Sequence, residues 1–144
     1  MRIIDLFSGV GGLTFGFYYR KYKDHFVRNR KNQFVFANEY NPLAAKAYSE
    51  NYPDIPMKNC DIKSLKESDI KEWIGAEPVD LIIGGPPCQS FSTVGQRNYD
   101  EKAQLYTEYL RVLKIARPKM FLFENVRGIL SMREIFYKRD AAGN

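Results

Sequence analysis

Val79-Asp80-Leu81-Ile82-Ile83-Gly84-Gly85-Pro86-Pro87-Cys88-Gln89-Ser90-Phe91-Ser92 joins a short apolar run to a stiff turn and a polar segment. A run this short and apolar suits a strand buried in a parallel sheet, and Gly-Gly-Pro-Pro must end it. Neither proline can donate to a ladder, and the glycines permit an abrupt change of direction. The Cys88 thiol therefore leaves the sheet at the carboxyl end of a strand, the edge where open α/β sheets hold their ligands. A free cysteine is most often a buried packing residue. Here Gln89, Ser90 and Ser92 argue against a dry environment, and a thiol fixed by two prolines reads as a nucleophile.

Working outward, short apolar runs alternate with amphipathic segments, the pattern of βα units around a parallel sheet. Arg2 to Leu6 is read as a first strand and Gly11 to about Lys23 as its helix. Gln33 to Ala37 is a second strand, followed by a helix that Asn41-Pro42 opens and Asn51-Tyr52-Pro53 closes. Met57 to Cys60 is a short third strand. Ser64 or Ser68 is the expected cap of a helix reaching Ile74 and stopped by Gly75. Val79 to Ile83 is the fourth strand, Glu101 to Ala116 a long helix, Lys119 to Phe123 the fifth strand, and Arg127 to Phe136 a further helix. Five strands with right-handed crossovers make an open, mostly parallel, doubly wound α/β sheet of Rossmann-like type.

At 144 residues the chain is one domain, and its 44% hydrophobic and 27% charged residues are ordinary for a globular protein. Two cysteines and no hydrophobic stretch after Met1 suit a reducing cytosol, and no apolar run approaches membrane-spanning length. The net charge of +5 is compatible with a nucleic-acid partner. Arg20, Lys21, Lys23, Arg28, Arg30 and Lys31 crowd a stretch whose only acid is Asp24, with Tyr18, Tyr19, Tyr22 and Phe26 interleaved. Such aromatics can stack on bases. The plainer reading, preferred here, is a helix end and a solvated loop with the aromatics packed on the sheet.

The first strand runs into Asp5-Leu6-Phe7-Ser8-Gly9-Val10-Gly11-Gly12-Leu13, a glycine-rich turn that lets a ligand approach the backbone above a helix amino end. Thr14 stands where the dinucleotide fingerprint needs its third glycine, which disfavours a dehydrogenase. The second strand ends at Asn38-Glu39, where a carboxylate can take both hydroxyls of a ribose. Asp61 follows the third strand and can accept from an adenine amino group. Three successive strand ends thus fit an adenosine without a pyrophosphate. The fifth strand ends in Glu124-Asn125-Val126. If strands four and five are neighbours, Glu124 faces Cys88, a pairing suited to attack on an electron-poor ring whose nitrogen the acid engages. Glu124 can alternatively be a helix cap, and Asn125 is left open between a turn and a functional role. His25, the only histidine, has no evident partner, and neither a Cys-His hydrolase nor a zinc site is supported.

These segments together resemble the cytosine-5 DNA methyltransferases over nearly all of residues 1 to 130. Asp5 to Gly12 is similar to the family's S-adenosylmethionine loop, Asn38-Glu39 with Asn41-Pro42 to its ribose segment, and Asp61-Ile62 to its adenine position. Gly84 to Ser92 is similar to the catalytic loop, with Gly95-Gln96-Arg97 as its continuation, and Glu124-Asn125-Val126 to the ENV motif. The resemblance implies that Phe7 stacks on the adenine and that Ser8, Gly9, Gly11, Gly12, Glu39, Asp61, Ile62 and Pro86 help hold S-adenosyl-L-methionine. It further implies that Cys88 attacks C6 of a cytosine flipped out of double-stranded DNA while Glu124 engages N3, with no metal required.

By the same resemblance, an arginine-bearing QxRxR segment, a target-recognition domain and a carboxyl-terminal segment packing beside the glycine loop are absent from this chain. The expected molecule is the amino-terminal catalytic portion, residues 1–144, of a cytoplasmic, nucleoid-associated bacterial modification enzyme. Two rivals stand beside it: a tRNA cytosine-5 methyltransferase, and a fragment or split-enzyme subunit that needs a complementary carboxyl-terminal polypeptide.

Overall fold

The computed structural model describes residues 1–87 and 105–127. Its centre is a five-stranded, wholly parallel sheet in the order β5-β4-β1-β6-β7, with β1 Arg2–Leu6, β4 Gln33–Glu39, β5 Met57–Asn59, β6 Leu81–Gly84 and β7 Met120–Phe123. The strands leave β1 in opposite directions, toward β4 on one side and β6 on the other. The reversal opens a crevice beyond the carboxyl ends of β1 and β6, where such sheets bind ligands. The predicted adjacency of the fourth and fifth strands is met, with Gly84 paired to Phe123.

Side-chain alternation along the strands builds two cores. Ile3, Phe34, Ala37, Leu81 and Ile83 pack with Tyr18 of α1 (Gly12–Tyr18) and Tyr48 of α2 (Pro42–Asn51). Ile4, Leu6, Val35, Phe36 and Ile82 face the other way, onto Ile70 of α3 (Glu67–Ile74) and Tyr109 and Val112 of α4 (Leu105–Ala116). Val35 and Phe36 are consecutive yet share a core because the β1–β4 register slips between Ile3 and Ile4, as a bulge requires. Asp5 is the misfit, a fully buried carboxyl among apolar strand residues.

Asn41-Pro42 opens α2 as expected: the Asn41 side chain accepts from the N–H groups of Leu43 and Ala44, with Pro42 in the first turn. Gly75 stops α3 in a left-handed φ of 67°. The cap at its other end differs from expectation. Lys66 holds that position without a side-chain bond, Ser64 donates to the Asp61 carbonyl instead, and Ser68 donates to Asp69.

The first helix is the larger correction. It ends at Tyr18, five residues short, and the chain enters a separate antiparallel hairpin, β2 (Tyr19–Tyr22) and β3 (His25–Arg28), turning at Lys23-Asp24. Tyr, Phe and Val favour extended backbone, and Lys23 takes the positive φ of 53° that a two-residue hairpin turn needs at its first position. Nor do all the aromatics pack on the sheet: Tyr18 is buried, but Tyr22 and Phe26 are 49% and 58% exposed. The amino-terminal part of the predicted 101–116 helix and the 128–136 part of the last one lie outside the described residues.

Candidate active site at the carboxyl edge of the sheet

Hydrogen bonds between consecutive strand ends hold the loops of this edge together. The Ser8 N–H donates to the Asn38 carbonyl across 3.1 Å, joining the turn after β1 to β4. Asn38 in turn donates its side-chain N–H groups to the carbonyls of Lys58 (2.9 Å) and Cys60 (3.0 Å), and Asn59 donates to that of Glu39 (2.8 Å). These amides fix the end of β5 against that of β4, so that Asp61 emerges beside Glu39. Asp61 then caps a short 3₁₀ turn, Ile62–Ser64, by accepting from the Lys63 N–H at 2.9 Å.

Glu39 is held by backbone donors from two loops. Its Oε2 accepts from Gly9 N–H at 2.8 Å and its Oε1 from Asn41 N–H at 2.7 Å. An ionised carboxylate offers about four acceptor positions, so two remain for a ligand. Phe7, half-buried with a φ of 55°, follows β1 directly. Phe7, Glu39, Asp61 and Ile62, with Asn38, Tyr40, Gly85, Pro87 and Leu105, line a cleft of about 630 Å³.

Of the predicted cofactor residues, Ser8, Gly9, Gly11, Gly12 and Pro86 are not on the cleft wall. Ser8 Oγ is buried without a hydrogen-bond partner among the described residues. Gly11 supports the turn from behind: a Cβ there would lie 2.1 Å from Tyr52 Cε2, and the Tyr52 hydroxyl donates to the Gly11 carbonyl at 2.8 Å. The close approach and a φ of 95° both require glycine.

Beneath the glycine turn lies a network the sequence did not reveal. The Thr14 hydroxyl donates to Asp5 Oδ2 and lies 2.8 Å from the Tyr48 hydroxyl, while Asp5 Oδ1 has no partner among the described residues. Burial pushes the Asp5 carboxyl up to about 7, opposed by the Thr14 bond and reinforced by the charge of Glu39. An acid at an inward strand position, flanked by Ile3, Ile4, Leu6 and Phe7, was the available signal.

At the other side of the crevice, the N–H of Glu124 donates to the Gly84 carbonyl at 2.9 Å, continuing the β6–β7 ladder by one residue. A Cβ on Gly85 would come 2.9 Å from Glu124 Oε2, so glycine gives the carboxylate its room. Asn125 donates to the Pro86 carbonyl at 3.1 Å and accepts from the Val126 N–H at 2.9 Å. Asn125 is thus the clamp between the two loops. Cys88, the residues that follow it through Arg97, and residues 131–144 lie outside the described residues; the described chain stops at Pro87, on the cleft wall.

A model of the C-5 cytosine-specific DNA methylase family matches residues 1–139. The chain belongs to this family. It is 42% identical over 135 residues to the type II methyltransferase M.AgeI of Thalassovita gelatinovora, covering 92% of this chain and 29% of the relative. Identity to M.AquIA of Picosynechococcus is 37%, over 90% of this chain and 50% of that protein. Among solved structures, a DNA modification methyltransferase encoded within an E. coli prophage superposes with a TM-score of 0.73 at 33% identity, covering 96% of this chain and 36% of the other. The chain therefore spans half or less of these relatives' lengths.

Proposed function

We propose that this chain carries the cofactor-binding and nucleophilic half of a DNA cytosine-5 methyltransferase, residues 1–144 forming part of its catalytic domain. The observation that carries the reading is the docking of the Glu124-Asn125 strand end onto Gly84-Gly85-Pro86 beside the cleft. Cys88 follows Pro87, so a thiol and a carboxyl leave adjacent strands of one sheet edge.

S-adenosylmethionine fits the cleft. Its volume of about 630 Å³ lies within the range of small-molecule sites, Glu39 keeps free acceptor positions toward it, and the unpartnered Ser8 Oγ belongs to the same turn. Phe7 stacks against the adenine, Glu39 accepts from the ribose hydroxyls, and Asp61 accepts from the adenine amino group. Gly9, Gly11, Gly12, Ile62 and Pro86 shape the surrounding backbone. The cofactor supplies an electrophilic methyl group.

The Cys88 thiolate attacks C6 of a cytosine taken out of the duplex, and Glu124 hydrogen-bonds or protonates N3 as electron density moves into the ring. C5 becomes nucleophilic and would take the cofactor's methyl group, the electron pair of the broken carbon–sulfur bond staying on sulfur as the departing neutral thioether. Loss of the C5 proton and expulsion of the thiolate restore the aromatic base. Type II relatives support a role in bacterial modification, and DNA rather than tRNA as substrate.

The length covered supports a further polypeptide that reads the DNA sequence, either continuous with this chain or a separate subunit. The test uses the chain completed at its carboxyl end to the length of its relatives. With S-adenosylmethionine and a duplex carrying 5-fluorocytosine, a covalent adduct accumulates, because fluorine does not leave as a proton does. Intact mass should show the adduct lost in Cys88→Ser and kept in Cys60→Ser. The opposite pattern overturns the assignment.

A further inference from the structure

We infer that the outer face of the β2–β3 hairpin is a second binding surface, which takes the phosphate backbone of duplex DNA away from the reacting cytosine. One face of the hairpin is used internally: Phe26 and Tyr19 each lie 5.1 Å from the ring of Phe15 on α1. Cross-strand pairing of Arg20 with Val27 and Tyr22 with His25 puts those four residues on the opposite face. Arg20, Tyr22 and Val27 of that face, Arg28 from the end of the hairpin's other face, and Arg30 and Lys31 of the turn after it line a groove of about 890 Å³ that has no carboxylate on its walls.

What marks the groove is that its charge is gathered in one place. Cations without an ion pair among the described residues also occur elsewhere, as at Lys46, Lys66 and Lys114, but those stand singly on or beside α2, α3 and α4, whereas four cations and no carboxylate line this groove. In the groove only Arg28 is compensated, stacked on Tyr18 at 3.8 Å and bridged to Asp54 at 3.1 Å. Arg20, Arg30 and Lys31 are exposed and make no ion pair among the described residues. Uncompensated like charges repel one another, and a polyanion removes that cost.

A single small anion would need donors converging in a sheltered spot, whereas these cations are exposed and strung along the hairpin and its exit. An extended acidic peptide would lean on apolar anchors, which the groove offers only through Tyr22 and Val27. A duplex, with a charge about every 1.7 Å of axis, matches a line of cations. The choice of DNA rests on the methyltransferase reading; the groove itself does not. The groove precedes Gln33, at the amino end of β4, while Glu39 and the cleft lie at its carboxyl end about 20 Å away. The contact therefore adds non-specific affinity without touching the reacting base.

The experiment is fluorescence anisotropy of the chain completed at its carboxyl end to the length of its relatives, with a duplex of A·T pairs only, across a salt series. Lacking cytosine, the probe reports backbone contacts, so failure of the methylation chemistry leaves this result unchanged. Each lost phosphate contact lowers the slope of log K against log salt by about 0.9. The triple variant Arg20→Gln, Arg30→Gln, Lys31→Gln is expected to lose about 2 to 3 from that slope and at least about tenfold in low-salt affinity. Arg20→Lys with Arg30→Lys keeps the slope, since charge is what matters. Lys46→Gln, Lys66→Gln and Lys114→Gln, the same charge change elsewhere, leaves it within about half a unit of the parent. An unchanged slope in the groove variant, or an equal drop in the lysine control, overturns the proposal. So does groove-dependent binding of polyglutamate with duplex binding unaffected, which would assign the surface to an acidic protein.

Discussion

Asn125 donates its side-chain amide to the carbonyl of Pro86 at 3.1 Å, tying the end of β7 to the Gly85-Pro86-Pro87 turn that precedes Cys88 in the sequence. A proline-rich turn is stiff within itself, but its angle to the sheet is set by whatever holds its carbonyls. With Glu124 N–H bound to Gly84, the Asn125 bond is a second tether two residues further on.

Asn125→Ala removes this tether without altering either reacting group. Loss of one hydrogen bond of about 1 kcal/mol leaves the fold intact but lets the Cys88 turn drift. In the completed enzyme the rate of adduct formation with 5-fluorocytosine DNA should fall about tenfold or more, while cofactor affinity by calorimetry stays unchanged. Equal loss in both measurements would make Asn125 a general folding residue.

Glu39→Ala should weaken S-adenosylmethionine binding by roughly 1.5 to 3 kcal/mol for each charge-assisted bond lost. Because Glu39 also binds the N–H groups of Gly9 and Asn41, alanine disturbs the turn as well as the ligand contact. Glu39→Gln separates the effects: it keeps one carbonyl acceptor but not both, so calorimetry should place it between the parent and alanine. Unchanged affinity in Glu39→Ala and Asp61→Ala would remove both from the cofactor site.

How these residues came to light differs. Four of the parallel strands, β1, β4, β6 and β7, are legible because each is a four- to seven-residue, mainly apolar run closed by a turn, whereas β5 is only Met57-Lys58-Asn59; Phe7, Glu39, Asp61 and Glu124 sit at those strand ends or within two positions of them. The hairpin escaped because Tyr19 to Tyr22 also suits a helix's last turn, and no glycine or asparagine marks Lys23-Asp24. Asn38 and Asn125 act through carbonyls 20 to 39 positions away, and Thr14 reaches Tyr48 across 34, so their roles appear only once the sheet is assembled.

Asp5 gives the fold a pH dependence. Its carboxyl rises from the ordinary carboxylate range to about 7 because burial penalises the charge. The folded state therefore binds the proton more tightly than the unfolded chain. The protonated-state stability is fully present below about pH 4 and is lost as pH rises through about 7. Asp5→Asn cannot ionise, so urea unfolding should show its stability gaining on the parent's by a few kcal/mol between pH 5 and pH 8. A difference that is constant across that range would show that Asp5 keeps its charge when folded.

The edge of the sheet at β7 sets the last expectation. Among the described residues β7 is paired only to β6, and Met120, Phe121 and Leu122 are 53%, 62% and 37% exposed, so both faces of this edge strand are bare. An apolar edge with unpaired N–H and C=O groups is a template for another chain. The 144-residue chain should therefore self-associate, and it should show no methyl transfer alone. Phe121→Lys places a charge on one face of the edge and should shift sedimentation toward monomer without lowering the unfolding midpoint, since an exposed side chain contributes little to the core. Adding the complementary carboxyl-terminal polypeptide should protect the same edge in the parent chain and restore tritium transfer from labelled cofactor. A parent chain that sediments as a monomer and methylates DNA unaided would mean that β7 is already covered and that this half of the fold suffices for the reaction.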